Sequence, residues 1–115
     1  VVAYSNDLKM KLLGVNPGTL YEYGAVSSQT AAEMAEGVRK CSQSDVGLSV
    51  TGIAGPDGGS VEKPVGLVYI GYADSKGTCT KELRLWGDRE RIRNVSTLHA
   101  LNLVRIKAFN KKCKG

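Results

Sequence analysis

Three groups of residues in this chain have side chains and spacings suited to chemistry. Tyr4 and Lys9 lie five residues apart, across the end of a run with strand character and the first turn of a helical pattern. A lysine activates a hydroxyl only where burial or positive neighbours pull its pKa down, so general-base chemistry here requires Lys9 to sit in a pocket beside a nucleophile. The alternative is a solvated surface lysine. The second group is Thr51-Gly52-Ile53-Ala54-Gly55-Pro56-Asp57-Gly58-Gly59-Ser60, directly after an apolar run, where an α/β sheet commonly opens a ligand crevice. Gly52 and Gly55 let backbone approach a ligand, and Thr51, Asp57 and Ser60 offer hydrogen-bonding groups. This is no phosphate-binding P-loop, because the Gly-Lys-Ser/Thr ending is missing and Pro56 removes an amide. An ordinary long turn and a ligand loop both fit the bare pattern. The third group, Gly87-Asp88-Arg89, opens a long helical pattern, where free N–H groups and the helix dipole favour anions and Arg89 could add a bidentate phosphate contact. Its alternative is a surface arginine paired with Glu82 or Glu90.

Other reactive residue types are sparse. The single histidine, His99, falls inside an apolar helical pattern, so Ser-His-Asp chemistry would depend on it alone. Cys41, Cys79 and Cys113 form an odd set without a Cys-x-x-Cys spacing, which argues against a zinc knuckle or a disulfide framework and fits a reducing cytoplasm. Trp86 reads as a core or interface residue rather than a base-stacking platform, given only seven aromatic residues in the chain.

The elements that would position these groups follow from periodicity and punctuation. Residues 1–4 read as a strand already in progress, so the chain is expected to lack its first portion. Asn6 to Leu13 form a short helix closed by Gly14, and Asn16-Pro17 begins a second one that Gly24 stops. Ser27 or Ser28 caps the next helix. Its Ala31, Met34, Ala35 and Val38 fall on one face, leaving Glu33, Glu36, Arg39 and Lys40 for solvent. Residues 46–53 predict a strand buried in a sheet. Residues 65–73 and 78–86 predict two antiparallel strands joined by the four-residue connection Asp74-Ser75-Lys76-Gly77. From a capping Asp88 onward, Ile92, Val95, Leu98, Leu101, Val104 and Ala108 mark the inward face of a long helix. Strand, helices, strand, hairpin and helix together describe an α/β layered domain with a mixed sheet.

Composition bounds the possible functions. A chain of 115 residues suits one domain, and 42% apolar with 23% charged residues is an ordinary globular balance. Its apolar runs are far shorter than the roughly 20 residues needed to cross a bilayer, so no membrane partner is expected. The formal charge of +5 is confined to the end: residues 1–104 carry eleven of each sign, and Arg105, Lys107, Lys111, Lys112 and Lys114 make the excess. That is a basic helix terminus, and nucleic acid is an unlikely partner.

Tyr4-Ser5-Asn6 with Lys9, Leu13-Gly14-Val15, Gly24-Ala25-Val26-Ser27, residues 51–59, Glu62-Lys63-Pro64-Val65-Gly66 and Gly87-Asp88-Arg89 occur in one order. Together they resemble the CinA C-terminal domain family, over residues 1–109, with 110–115 a basic tail. The resemblance implies a three-layer α/β/α sandwich lacking its first strand and helix here. It also implies a nicotinamide-nucleotide amidohydrolase, which converts nicotinamide mononucleotide to nicotinate mononucleotide and ammonia without metal or cofactor. The family's hydroxyl nucleophile lies in an upstream Glu-Ser-Cys-Thr-Gly-Gly segment that this sequence does not contain, so these residues alone are expected to be inactive. Catalytic roles carry over onto Tyr4 and Lys9, and backbone at Thr51, Gly52, Ile53 and Gly55 would face the substrate, with Arg89 on its phosphate. The expected partner is a small nucleotide, in a cytoplasmic homo-oligomer. Two other classes remain: a non-catalytic nucleotide- or protein-binding module of competence and DNA-damage responses, and an oligomerisation unit that would leave Lys9 and Arg89 unburied and uncoupled.

Overall fold

The computed structural model describes the backbone of residues 6–114 and the side chains of residues 8–107. The strand expected at residues 1–4, and with it Tyr4, lies outside the described residues. So do the side chains of Asn6, of Asp7 and of residues 108–115, which include the basic tail 110–115.

Local chemistry sets the helix ends. α1 spans Asn6–Leu13 and α2 spans Pro17–Tyr23. The Asn16 side chain accepts a bond from the Gly18 amide at 2.8 Å, and Pro17 occupies the first turn, where its missing N–H needs no partner. α3 spans Ser28–Ser42, and its cap is Ser27, whose hydroxyl accepts from the Thr30 amide at 3.1 Å. Ala31, Met34 and Ala35 are buried, as their spacing requires. Glu33, expected in solvent, instead accepts from the Asn16 amide at 2.7 Å and the Thr19 hydroxyl at 2.5 Å, fastening the start of α2 to α3. Leu13, Val15 and Met34, with Leu20 and Val38, form the apolar cluster among these three helices.

The sheet has three described strands, β1 (Gly47–Gly52), β2 (Leu67–Asp74) and β3 (Gly77–Arg84), in the order β1-β2-β3. Both pairings are antiparallel, so the parallel component of the expected mixed sheet is not represented among the described residues. Asp74 pairs with Gly77, which leaves a loop of Ser75 and Lys76 rather than the four-residue connection read from sequence. Asp74 itself supplies the turn chemistry, its carboxylate accepting from the Lys76 amide at 2.8 Å. β1 was expected to be buried in the sheet; among the described strands it is an edge. Ser49 and Thr51 are buried on the α3 side, whereas Val50 on the other side is 43% exposed.

α4 spans Arg89–Lys114 and starts at Asp88, whose carboxylate accepts from the Arg91 amide at 2.8 Å. It covers the sheet face opposite α3. The side it turns inward corrects the sequence reading: Ile92, Ser96 and Ala100 are buried with Leu103 beside them, while Leu98 and Leu101 are 66% and 59% exposed. Small residues at 96 and 100 let the helix settle onto Val68, Ile70 and Leu83, and the Ser96 hydroxyl is satisfied by the Ile92 carbonyl at 2.6 Å. Helices, sheet and helix make an α/β layered fold. No described helix is long and apolar enough to cross a membrane.

α3 sits unusually close to its neighbours because glycine lies at each contact. A Cβ at Gly71 would stand 2.2 Å from the Ala31 carbonyl oxygen, one at Gly47 2.0 Å from that of Ala35, and one at Gly37 1.6 Å from that of Leu13. In an open helix, Gly→Ala gains about 1 kcal/mol. Here Gly37→Ala must part α1 from α3, so we expect the opposite sign, a loss of about 1–3 kcal/mol. Urea unfolding midpoints of the two proteins check this, and a stabilised variant would refute the contact.

Candidate functional site

A cavity of about 660 Å³ runs along β1, which is an edge among the described strands, between α1 and α3 on one side and α4 on the other. α1 delivers Lys9, β1 delivers Thr51 and Gly52, and the first two turns of α4 deliver Arg89 and Arg93. Leu13 and Met34 make part of its apolar wall. Among the described residues no aspartate or glutamate lines it, and its charged groups are Lys9, Arg89 and Arg93.

Lys9 is only 7% exposed, and burial pulls its pKa below the ordinary 10.5. Removing water disfavours the ammonium form, which is the condition under which a lysine can act as a base. The turn after α1 fixes the helix that carries it: the Gly14 amide donates to the Met10 carbonyl and the Val15 amide to the Lys9 carbonyl, each at 3.1 Å.

The Thr51 side chain does structural work that the sequence did not disclose. Its hydroxyl donates to the Ala25 carbonyl at 2.8 Å, while Ser27 and Thr30 both donate to the Gly24 carbonyl, at 3.0 and 2.7 Å. The hydroxyl thus ties the end of β1 to the start of α3. Beyond Gly52 the loop folds back on the sheet, with the Ile53 amide on the Leu67 carbonyl at 3.0 Å and the Gly66 amide on the Ile53 carbonyl at 2.7 Å. Gly55 has a φ of 80°, and a Cβ there would meet Val65 at 2.6 Å, so both the conformation and the space call for glycine.

The glycine loop and the head of α4 do meet. Arg89 Nη1 donates to the Gly55 carbonyl at 3.3 Å, in place of the ion pair with Glu82 or Glu90 considered from sequence. Arg91 lies 3.8 Å above the Trp86 ring and bonds the Trp86 carbonyl, and Trp86 is 72% exposed, hence neither core nor bare stacking platform. Of the residues singled out from sequence, Lys9, Thr51, Gly52 and Arg89 border one cavity; Ile53 and Gly55 lie off its wall, and Tyr4 is outside the described residues. Arg93 was missed, although its place four residues after Arg89 puts it on the same helix face. His99 is half-buried and borders none of this. Cys41 and Cys79 are free, and no cluster of three or more metal-ligating side chains exists among the described residues.

The CinA C-terminal domain family matches residues 1–108. A chain from Acetivibrio thermocellus named as a competence-damage inducible protein is 64% identical over 115 residues, covering all of this chain and 27% of that one. A CinA-like protein from Kosmotoga olearia is 54% identical over 105 residues, covering 91% of this chain and 26% of that one. This chain therefore spans about a quarter of the length of these curated relatives. Among solved structures, the competence/damage inducible protein CihA from Agrobacterium tumefaciens superposes with a TM-score of 0.87 at 44% identity, over 91% of this chain and 65% of its own. The competence damage-inducible protein A of Klebsiella pneumoniae gives a TM-score of 0.89 at 31% identity, over 94% and 67%.

The Thr51 hydroxyl bond yields a stability test. Thr51→Val keeps the shape but strands the Ala25 carbonyl, so it should cost about 1–3 kcal/mol, whereas Thr51→Ser should cost less than half of that. A lower midpoint for Thr51→Ser than for Thr51→Val in urea unfolding would show that the methyl, not the hydroxyl, is what matters.

Proposed function

The chain belongs to the CinA C-terminal domain family, and on that footing we propose that it is the substrate-binding and proton-handling part of an amidohydrolase acting on nicotinamide mononucleotide. The observation that carries this reading is the buried Lys9, its pKa lowered by desolvation, on the wall of a cavity shared with Thr51, Gly52 and Arg89. A lysine kept merely for solubility would lie in water.

In this reading the nucleophile is a hydroxyl on sequence that precedes Val1 in the longer protein. Among the described strands β1 is an edge beside Lys9, and a further strand pairing there would bring such a hydroxyl to the amine. Neutral Lys9 takes the hydroxyl proton as the oxygen attacks the carboxamide carbon. The tetrahedral intermediate then expels ammonia, which takes that proton from Lys9, and leaves an acyl ester. Water, deprotonated by the same amine, attacks the ester and releases the carboxylic acid and the free hydroxyl. Tyr4 hydrogen-bonds or relays the proton at the hydroxyl. Backbone at Thr51 and Gly52, at the end of β1, faces the polar groups of the substrate, and Arg89 at the head of α4 faces its phosphate. The work is done in the cytoplasm by a homo-oligomer.

A second reading draws on the relatives' names: a non-catalytic nucleotide- or protein-binding module in competence and DNA-damage responses. It shares the cavity and lacks turnover, so ammonia release separates the two.

Lys9→Arg keeps the charge but cannot lose its proton. In the natural-length protein it should lower kcat for ammonia release from nicotinamide mononucleotide by about 10²–10⁴-fold and change KM far less. Because the lysine acts as a free base, kcat/KM of the unsubstituted protein should rise with pH along a limb lying below the ordinary lysine value of 10.5, and that limb should vanish in the variant. An active Arg variant would reduce Lys9 to a source of charge.

A further inference from the structure

Glu62-Lys63-Pro64-Val65-Gly66 is one of the sequence motifs, and none of it borders the cavity that holds Lys9. Its lysine is half-buried, and Nζ donates to the Tyr23 carbonyl at 2.5 Å, 40 residues back in the chain. Tyr23 is the last residue of α2, so the ammonium satisfies a carbonyl beyond the reach of the helix's own ladder, at its negative end. Gly24 admits it: a Cβ there would stand 2.9 Å from Nζ. The next two carbonyls are also taken by side chains, that of Gly24 by Ser27 and Thr30 and that of Ala25 by Thr51. Three consecutive carbonyls thus collect bonds from the loop after β1, from the start of α3 and from β1 itself.

Residues 53–66 reach that corner as one body. Their base is closed by the backbone bonds among Ile53, Gly66 and Leu67. Lys63 is presented by a turn in which its amide donates to the Ser60 hydroxyl oxygen at 3.0 Å and its carbonyl accepts from the Ser60 amide at 2.9 Å. The outgoing and returning arms lie directly against each other. A Cβ at Gly59 would stand 2.7 Å from the Val65 amide nitrogen, just as one at Gly55 would meet the Val65 side chain. Two long side chains then tie this body to opposite layers, Lys63 to the corner between α2 and α3, and Arg89 from α4 to the Gly55 carbonyl. Between the ties, residues 56–62 are exposed. The loop is a strap across the end of β1, and releasing one tie loosens the body on which the other is anchored.

Resting on the reading above, we infer that Lys63 is a positioning residue: through the strap it fixes the Gly55 carbonyl that orients Arg89, and with it the substrate-facing backbone at Thr51 and Gly52. Without this tie the strap must be ordered each time substrate binds, and that ordering opposes binding. Lys9 is outside its reach, since α1 carries the amine and α3 seats α1 through Gly37. The loss therefore falls on KM and spares kcat.

The test uses the natural-length protein with Lys63→Met, which keeps the reach of the side chain without a donor, and Lys63→Arg, which keeps donors. In the absence of ligand, amide hydrogen exchange over residues 57–63 should run about 10-fold faster in Lys63→Met, with β2 unchanged. For ammonia release from nicotinamide mononucleotide, Lys63→Met should raise KM about 10-fold, the size of a charge-assisted bond, and change kcat by less than about twofold. Lys63→Arg should recover most of both effects. Calorimetric affinity for the mononucleotide is measured alongside. If the unsubstituted protein releases no ammonia, the amidohydrolase reading fails, while loop exchange and affinity in Lys63→Met against Lys63→Arg still decide the role of Lys63. Loop exchange unchanged in Lys63→Met, or faster exchange with KM and affinity untouched, would overturn the inference.

Discussion

The close seating of α3 is the constraint from which the rest of the fold follows. Gly47 and Gly71 on two adjacent strands remove the side chains that would hold the helix away, and the carbonyl oxygens of Ala35 and Ala31 occupy the space so freed. The Ser49 hydroxyl then reaches the Ala31 carbonyl at 2.6 Å, and Thr51 reaches Ala25. These are side chain to backbone bonds between layers, and they fix α3 along the strands as well as above them. Gly37 repeats the device on the next surface out, so that α1 packs against α3 as tightly as α3 packs on the sheet.

Lys9 owes its environment to that chain of contacts. Were α1 displaced outward by one methyl group at Gly37, its lysine would move toward solvent and recover hydration. The amine is thus buried by backbone packing, with Leu13 of the same helix and Met34 of α3 completing the apolar wall. On the far side of the cavity α4 is held by a different set of contacts, through Ile92 and Ala100 in the core, and among the described residues its arginines meet no acidic side chain on the Lys9 cavity. Low dielectric on one wall and positive charge on the other are what the proposed substrate, with an uncharged amide at one end and an anion at the other, would require. β1 itself, Gly-Leu-Ser-Val-Thr-Gly, is an edge among the described strands and carries no charge or proline, which is the composition of a strand made to be covered.

What could be read from the sequence was mostly local. Asn16, Ser27 and Asp88 cap helices through bonds that reach two or three residues, and the Gly24 amide closes α2 on the Leu20 carbonyl. The stripe Ala31, Met34, Ala35 was legible because α3 has a single apolar face. α4 carries apolar residues on two faces, and only the sheet decides that Ile92 and Ala100 rather than Leu98 and Leu101 turn inward. The same limit hid the roles of Gly37, Gly47 and Gly71, whose value lies in atoms tens of residues away, and that of the Thr51 hydroxyl, which looked available to a ligand until Ala25 was found beside it. Within the site, Lys9 and Arg89 stood out through their motifs. Arg93 belongs to no motif, and it became visible only when the cavity it borders was formed.

Trp86 is the only tryptophan in the chain, and it lies with one face against the Arg91 guanidinium and most of its surface in water, immediately before the helix that carries Arg89 and Arg93. Its emission therefore comes from a single location, without background from the core. A guanidinium drawn away from the indole, or water excluded from its outer face, changes the polarity that the excited ring senses. The protein carries its own optical gauge at the arginine end of the cavity, placed where no label has to be introduced.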